Sequence, residues 1–202
     1  MWKKFMTGLL MAVALVTLTA CGSSSTGTAS QTATTTQTAA TPVKAEQSKT
    51  LVVYFSASGK TKGVAETIAA NKKGTLFEIK PSEPYTSADL NYRDDSSRVV
   101  KEHAQPKLRP VYEGDVANWE SYDTVYIGYP LWWQQAPHVV YTFVEKHNFN
   151  GKKVIPFCTS VSSPLGSSGE NLAKAAGTGD WQQGIRFSSG VSKDEILSWL
   201  QK

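Results

Sequence analysis

Cysteine and histidine are scarce in this chain of 202 residues. Its two cysteines, Cys21 and Cys158, and its three histidines are too few for a disulfide framework or for a zinc site built from cysteine and histidine ligands. The sequence therefore predicts neither a disulfide scaffold nor a structural metal site.

A strong excess of charge of one sign is also missing. The formal net charge is +4, and two of the basic side chains, Lys3 and Lys4, lie in a segment that the mature protein is expected to lose. Without them the excess falls to +2, which is too small to indicate a nucleic-acid partner. With 40% hydrophobic and 19% charged residues, the composition is typical of one globular domain.

Long hydrophobic runs are absent as well. The apolar stretch near the start, at about residues 6–18, is shorter than the roughly 20 residues that a spanning helix needs. Basic Lys3 and Lys4 precede it and a small residue precedes Cys21, a pattern that looks like a bacterial lipoprotein signal. Residues 1–21 are therefore predicted to be a signal peptide with Cys21 as the acylated N-terminus, which anchors the protein to a bacterial membrane outside the cytoplasm. An ordinary secretory signal or a retained anchor is the alternative.

Residues 22–48 have a composition unlike that of a folded domain. Thirteen of these twenty-seven residues are serine or threonine, and large apolar side chains are almost absent. Such a segment cannot bury enough surface to offset the entropy lost on ordering, so it is predicted to be a flexible tether. Residues 49–202 remain as the segment able to build a hydrophobic core.

Short β-branched and aromatic runs alternate with helical patterns along residues 49–202. Strands are predicted at 50–55, 76–79, 124–127, 154–157 and 184–187, and helices over 61–70, within 94–103, from Pro137 and from Ser192, which forms a capping box with Glu195. The predicted inward faces of the two main helices are Val64, Ala65, Ile68 and Ala69, and Val139, Val140, Phe143 and Val144. This alternation predicts an α/β fold with a parallel sheet.

The loop after the first predicted strand combines small residues with hydroxyl groups. It consists of Ser56, Ala57, Ser58, Gly59, Lys60 and Thr61 and leads directly into a helix. Backbone N–H groups and the helix dipole favour an anion there, and a phosphate monoester is the expected ligand. A nucleoside triphosphate loop would need a glycine where Tyr54 stands. An ordinary turn with a helix cap is the second alternative.

Two later loops complete the candidate site. The segment after Gly128 carries a cluster of aromatic side chains, which favours stacking of a flat ring, although the same side chains could simply close the end of the sheet. The third loop, residues 159–169, is rich in serine and offers hydrogen bonds to the edge of a heterocycle. The aromatic segment comprises Tyr129, Pro130, Leu131, Trp132 and Trp133.

Three motifs in this order resemble those of the flavodoxins, in particular the short-chain, flavodoxin-like FMN proteins of bacteria. They are YFSASGKT at 54–61, YPLWWQQAP at 129–137 and FNGKKVIPFCTS at 149–160, and the resemblance covers nearly all of residues 50–202. It implies a flavodoxin-like, doubly wound, five-stranded parallel sheet in the order 2-1-3-4-5, with FMN bound at the carboxyl ends of the strands.

The resemblance also implies roles for individual residues. Ser56, Ser58 and Thr61 would bind the FMN phosphate, with the backbone of Ala57, Gly59 and Lys60 beside it. Tyr129, Pro130, Leu131, Trp132 and Trp133 would line the flavin, and Thr159, Ser160 and Gly166 are further candidates at the ring edge. Gln134 replaces a glycine often found just after the aromatic pair, which argues against a peptide flip there.

The predicted function follows from the predicted lipoprotein signal together with the three loops that resemble those of the flavodoxins. It is an FMN-binding electron-transfer protein outside the cytoplasmic membrane, with a redox partner protein or a small-molecule electron acceptor and with no catalytic side chain of its own. The alternatives are an FMN-dependent NAD(P)H or quinone oxidoreductase and a non-catalytic surface binding module with a degenerate flavin site.

The long segment 81–122 and a few isolated residues complete the predictions. Tyr85, Asn91, Tyr92 and Arg93 of that segment are expected near the flavin or its substrate. Cys158 is expected to be a buried small hydrophobe, and His138 and His147 are expected to lie on a helix without metal-ligand geometry.

Overall fold

The computed structural model describes residues 49–202, and the predicted signal and tether in residues 1–48 lie outside this range. The described residues form an α/β fold. The strands are β1 (Thr50–Tyr54), β2 (Thr75–Glu78), β3 (Lys80–Pro81), β4 (Tyr112–Glu113), β5 (Thr124–Pro130), β6 (Lys153–Ser160), β7 (Asp180–Trp181) and β8 (Ile185–Ser188). The helices are α1 (Lys60–Lys72), α2 (Arg98–His103), α3 (His138–Lys146), α4 (Ser168–Ala176) and α5 (Lys193–Trp199), with a 3₁₀ helix at Trp119–Ser121. No helix within residues 49–202 is long and apolar enough to cross a membrane.

The main sheet is parallel and confirms the predicted strand order. Its six strands run β2-β1-β5-β6, and both β7 and β8 pair with β6. β7 pairs with the start of β6, and β8 pairs with its end. The two short strands therefore share the fifth position of a doubly wound sheet.

The interruption of the fifth strand lies beside Pro156. The backbone N–H of Asp180 donates to the Lys152 carbonyl and that of Gln182 donates to the Val154 carbonyl. The backbone hydrogen-bonding groups of every second residue along β6 therefore point toward β7. Pro156 is next in that series and has no N–H to donate, so the ladder breaks there. Gly184 then passes so close that an added Cβ would lie 2.6 Å from the Pro156 carbonyl oxygen.

Hydrophobic residues cover both faces of the sheet. Leu51, Val53 and Phe55 of the first strand region belong to the core cluster under α3, whereas Val52 and Tyr54 belong to the cluster under α1 and α5. Because side chains alternate between the two faces of a strand, an uninterrupted apolar run is what a sheet buried on both sides requires.

The two main helices bury the predicted residues. In α1 these are Val64, Ala65, Ile68 and Ala69, and in α3 they are Val139, Val140, Phe143 and Val144. Pro137 is the N-cap of α3 and not its first helical residue, because its ψ of 146° is extended and the helix begins at His138. At α5 the predicted capping box is present, with the Ser192 hydroxyl accepting from the Glu195 N–H and the Glu195 side chain accepting from the Ser192 N–H.

The long segment between β3 and β4 contains α2 and is hydrogen-bonded to α3 near its end. β3 and β4 form a separate two-stranded antiparallel ladder. The helix predicted within residues 94–103 is α2, and the residues before it, 94–97, form a turn in which the Asp94 carboxylate accepts from the Ser96 N–H at 2.8 Å. The Thr142 hydroxyl of α3 donates to the Pro110 carbonyl at 2.9 Å, which ties the end of the segment to α3.

Two glycines at the start of α1 should respond in opposite ways to alanine. Gly63 is a helical residue with open space around its Cβ position, so Gly63→Ala should raise the free energy of unfolding by about 0.5–1 kcal/mol. Gly59 also has open space but has a φ of +80°, so Gly59→Ala should lower it by about 1–2 kcal/mol. Urea unfolding of both variants checks this; a stabilised Gly59→Ala variant would show that its left-handed conformation is not required.

Candidate functional site

The candidate site lies where β1, β5 and β6 end. These three strands are adjacent and parallel, so their carboxyl ends meet at one edge of the sheet. The Phe55 N–H donates to the Gly128 carbonyl and the Leu131 N–H donates to the Thr159 carbonyl at 3.0 Å, which extends the ladders into the loops. The three loops that the sequence marked therefore converge at the edge where doubly wound sheets bind ligands.

The first loop is shaped as an anion-binding turn. Gly59 adopts a left-handed conformation immediately before α1, and the Ser56 hydroxyl accepts a hydrogen bond from the Lys62 N–H at 3.2 Å. Ser58 and Lys60 are exposed. A left-handed residue at a helix N-terminus turns successive N–H groups toward one point, which suits a phosphate.

Thr61 connects this loop to the end of β6. Its hydroxyl lies 2.8 Å from the Thr159 hydroxyl, and both side chains are buried. A hydroxyl has one donor and two acceptor positions, so this bond leaves each group some capacity for a ligand. The hydrogen bond between Thr61 and Thr159 therefore holds the first loop against the third loop.

The aromatic loop makes a tight turn after β5. The backbone groups of Trp132 and Gln135 bond to each other at 3.0 and 2.9 Å, and the two central residues, Trp133 and Gln134, have positive φ values of 46° and 60°. Positive φ at both central positions is typical of a type I′ turn. Gln134 therefore occupies a conformation that favours glycine, although the side chain is not glycine.

The two tryptophans of this turn have different surroundings. Trp132 is half-buried and packs edge-on against Phe55 and Tyr85, with ring centroids 5.6 and 5.4 Å apart. Trp133 is 40% exposed and stacks on His103 at 4.6 Å. Trp132 therefore belongs to the wall of the site, and Trp133 lies at its rim.

Tyr129 and Pro130 belong to β5 and not to the loop. The Tyr129 side chain is fully buried, and its hydroxyl lies 2.9 Å from that of Ser168. Burial raises the pKa of Tyr129 well above its usual value. The Tyr129 ring is thus a core residue that supports the site from below.

A groove of about 160 Å³, called here the aromatic groove, opens between the first loop, the aromatic turn and the long β3–β4 segment. Tyr92 reaches it from that segment and is 65% exposed, while Tyr85 lies behind Trp132, so the structure brings two of the four expected segment residues to the site. The groove is lined by Ala57, Ser58, Leu90, Tyr92, Val99, Pro130, Trp132 and Trp133. Leu131 packs instead against the core beneath it.

The third loop is held by Arg186, a residue that the sequence motifs do not identify. The Arg186 guanidinium of β8 donates to the Ser160 hydroxyl and to the carbonyls of Ser160 and Val161. The Ser160 hydroxyl in turn donates to the Ser163 carbonyl, and Gly166 turns the loop with a φ of 55°. Thr159 and Ser160 therefore first shape the loop. An arginine within a mostly apolar strand is the signal that could have identified Arg186.

A charged cluster behind the aromatic groove was also not predicted. The buried Glu102 carboxylate accepts from the Tyr85 hydroxyl at 2.6 Å and from the Arg98 guanidinium at 2.7 Å. Arg98 also lies over the Tyr85 ring at 4.0 Å. Burial and the Glu102 carboxylate raise the pKa of Tyr85, so the phenol keeps its proton and remains a donor. Because Tyr85 packs on Trp132, this cluster holds the aromatic wall in place.

The remaining titratable candidates lie away from the groove or in the core. Cys158 is fully buried, which raises its thiol pKa to about 12, as suits a small hydrophobe. His147 is the extended C-cap residue after α3 and not a helical residue as expected, and its ring nitrogens lie near the Phe143 carbonyl and the Asp115 carboxylate. Residues 49–202 contain no group of three or more histidine, cysteine or acidic side chains arranged for a metal ion.

This fold and these loops define the class of flavodoxin-like proteins, in which a ligand site lies at the carboxyl edge of a doubly wound sheet. The chain belongs to the flavodoxin family, because the family model described as flavodoxin matches residues 49–202.

Solved structures similar to this chain include two from Bacteroides and one from Lactobacillus acidophilus. One, from Bacteroides eggerthii and provisionally described as a flavoprotein, is 41% identical with a TM-score of 0.71 over 77% of this chain and 97% of that one. Another so described, from Bacteroides uniformis, is 39% identical with a TM-score of 0.73 over 78% and 100%. A flavoprotein from Lactobacillus acidophilus, solved with FMN, shares the fold at 24% identity with a TM-score of 0.59 over 77% and 99%. No curated protein matches the chain.

The Glu102 cluster should contribute more to stability than an exposed ion pair. Glu102→Gln removes a carboxylate that is 7% exposed and leaves the Arg98 guanidinium without its charged partner, so the free energy of unfolding should fall by about 2 kcal/mol. Glu145, which is 37% exposed in its pair with Arg109, is the matched control, and Glu145→Gln should cost less than about 1 kcal/mol. Urea unfolding of both variants provides the measurement, and equal losses would contradict the role given to Glu102.

Proposed function

We propose that this protein binds FMN at the carboxyl edge of its sheet and transfers electrons outside the cytoplasmic membrane. The observation that carries the proposal is the convergence of the anion-binding turn at Gly59 with the aromatic groove. Each feature alone has simpler explanations, but a phosphate site beside a flat aromatic site matches both parts of a flavin mononucleotide. Membership of the flavodoxin family and the FMN complex of the Lactobacillus acidophilus protein support it.

The first loop fits the phosphate end of FMN. Backbone N–H groups around Gly59 and the N-terminus of α1 would bind the phosphate oxygens, with further hydrogen bonds from the hydroxyls of Ser56 and Ser58. Lys60 is exposed beside them and adds positive charge. The Thr61 hydroxyl is hydrogen-bonded to that of Thr159, so the main role of Thr61 is to hold the first loop against the end of β6.

The aromatic groove fits the ring end of FMN. Trp132 and Pro130 would supply a flat apolar wall, and the exposed Tyr92 lines the same groove. The third loop, which Arg186 holds, would supply hydrogen bonds to the polar edge of the ring. These residues bind, orient and partly dehydrate the ring.

When bound, FMN supplies the redox chemistry by taking up and releasing electrons on its ring. The side chains of the groove tune that chemistry through their polarity. An apolar wall at Trp132 and Pro130 disfavours negative charge beside it, which lowers the reduction potential of a ring that gains charge. The open side of the groove leaves the ring accessible, so the proposed electron partner is a redox protein or a small-molecule acceptor.

The location outside the cytoplasm is proposed from residues 1–48. Basic residues, a short apolar run and Cys21 favour lipid attachment, and residues 22–48 would link the lipid to the domain. Two or more acyl chains anchor a protein stably where one does not. The protein would then work at a membrane surface.

Trp132 should be required for tight FMN binding. Titration of the purified protein with FMN, followed by visible absorbance, should show one bound FMN per chain and an affinity about tenfold or more lower in Trp132→Ala, because the stacking wall is lost. Trp119→Ala is the matched control. It also removes an indole, but at the amino end of the sheet, before β5.

The control separates a loss of the site from a loss of the fold. Trp119→Ala should bind FMN as the unchanged protein does, and circular dichroism should show folded protein in both variants. Absence of FMN binding by the unchanged protein would overturn the proposed function, although the fold would stand.

Cys21 should determine where the protein is found. In a bacterial host, the unchanged protein should fractionate with membranes, whereas Cys21→Ser should leave them because the acylated residue is missing. Cys158→Ser is the matched control, since Cys158 is buried in the core and should have no influence on fractionation. If Cys21→Ser stayed with the membranes, a retained hydrophobic anchor would replace the lipid.

A further inference from the structure

A second concavity lies on the other side of the aromatic turn. This α2–α3 cleft, between α2 and the start of α3, has a volume of about 260 Å³. Val99, Trp132 and Trp133 line both the cleft and the aromatic groove. The phosphate and ring positions proposed for FMN do not use the cleft.

The lining of the cleft is mainly apolar and aromatic. Val99 and Pro106 form one side, and Trp133, Ala136 and Tyr141 belong to the other. Trp133 is held by its stacking on His103, and the Tyr141 hydroxyl donates to the Gln135 side chain at 3.1 Å. Fixed aromatic walls of this kind favour a flat ring.

The charged groups around the cleft are already paired. Both carboxylate oxygens of Glu102 accept hydrogen bonds, from Tyr85 and from Arg98. The Arg109 guanidinium, which lies over the Tyr141 ring, is paired with both carboxylate oxygens of Glu145. Since neither charge is left for a ligand, the cleft favours a neutral molecule.

His138 supplies hydrogen-bonding capacity that the protein does not use. It lines the cleft, and its Nδ1 is shielded from solvent without a hydrogen-bond partner among residues 49–202. Burial lowers the pKa of His138, which keeps the imidazole neutral near pH 7. A neutral imidazole has one donor and one acceptor nitrogen, and a hydroxyl group in the cleft can pair with Nε2, the ring nitrogen that is not shielded.

We propose that the α2–α3 cleft is a second ligand site, which takes a neutral aromatic ring bearing a hydroxyl group that pairs with His138. The site is separate from the FMN position and does not require FMN. Because Trp132 and Trp133 are shared walls, a ring bound in the cleft would lie against the side of the aromatic turn that faces away from the flavin.

The test uses 2-naphthol and its isostere 2-methylnaphthalene, which lacks the hydroxyl. Binding to the full-length protein without FMN is followed by amide and indole chemical shifts in ¹H–¹⁵N NMR spectra. 2-Naphthol should shift the signals of Ala136, His138 and the Trp133 indole, and should bind roughly 3- to 10-fold more tightly than 2-methylnaphthalene, the range expected for one neutral hydrogen bond.

Variants assign that difference to His138. His138→Leu should remove the preference for 2-naphthol, whereas His138→Gln, which keeps a side-chain polar group near the position of Nε2, should retain most of it. Lys174→Ala, an exposed position on α4, should behave as the unchanged protein does. If His138→Leu fails to fold, the difference in affinity between the two ligands for the wild-type protein still tests the proposal.

Three outcomes would overturn the proposal. They are equal affinity for the two ligands, an unchanged preference in folded His138→Leu, and shifts centred on Ser58 and Tyr92 instead of the cleft residues. FMN binding is measured separately by visible absorbance on the same samples. Absorbance therefore tests the FMN proposal, and NMR chemical shifts test the cleft proposal.

Discussion

The parallel pairing of β5 with β1 on one side and β6 on the other is the constraint on which the site depends. It brings three loops, distant in the chain, to one edge of the sheet. The hydrogen bond between Thr61 and Thr159 closes the first loop against the third, and the Leu131 N–H joins the second loop to the same residue. Thr159 thus links all three loops, and a shift in register between β5 and β6 would move every one of them.

The long segment between β3 and β4 supplies the other half of the aromatic groove. Glu102 fixes Tyr85, and Tyr85 packs on Trp132, so a buried carboxylate determines the position of an apolar wall. Burial of a carboxylate is costly unless its oxygens are satisfied, and here Tyr85 and Arg98 satisfy both. The same pairing leaves the neighbouring α2–α3 cleft without a free charge, so one cluster shapes both concavities.

Backbone strain is concentrated at the turn that joins these concavities. Trp133 and Gln134 are consecutive non-glycine residues with positive φ, a conformation that costs energy for residues with a Cβ atom. The mutual hydrogen bonds of Trp132 and Gln135, and the stacking of Trp133 on His103, hold them there. Gln134 therefore keeps a left-handed conformation, which the hydrogen bonds of the turn and the stacking of its neighbour Trp133 stabilise.

The sequence by itself determined the local elements and identified the three loops of the candidate site. Apolar runs and helical spacing are local properties, so β1, α1 and α3 and the three loop motifs were predictable from them, and the strand order followed once the motifs pointed to the flavodoxin family. Only the tertiary structure decided the break at Pro156, the burial of Tyr129 in the core, and the parts played by Arg186 and Glu102. Each depends on which distant residues become neighbours: Thr61 and Thr159 are 98 positions apart, and only the packed sheet brings their hydroxyls within 2.8 Å.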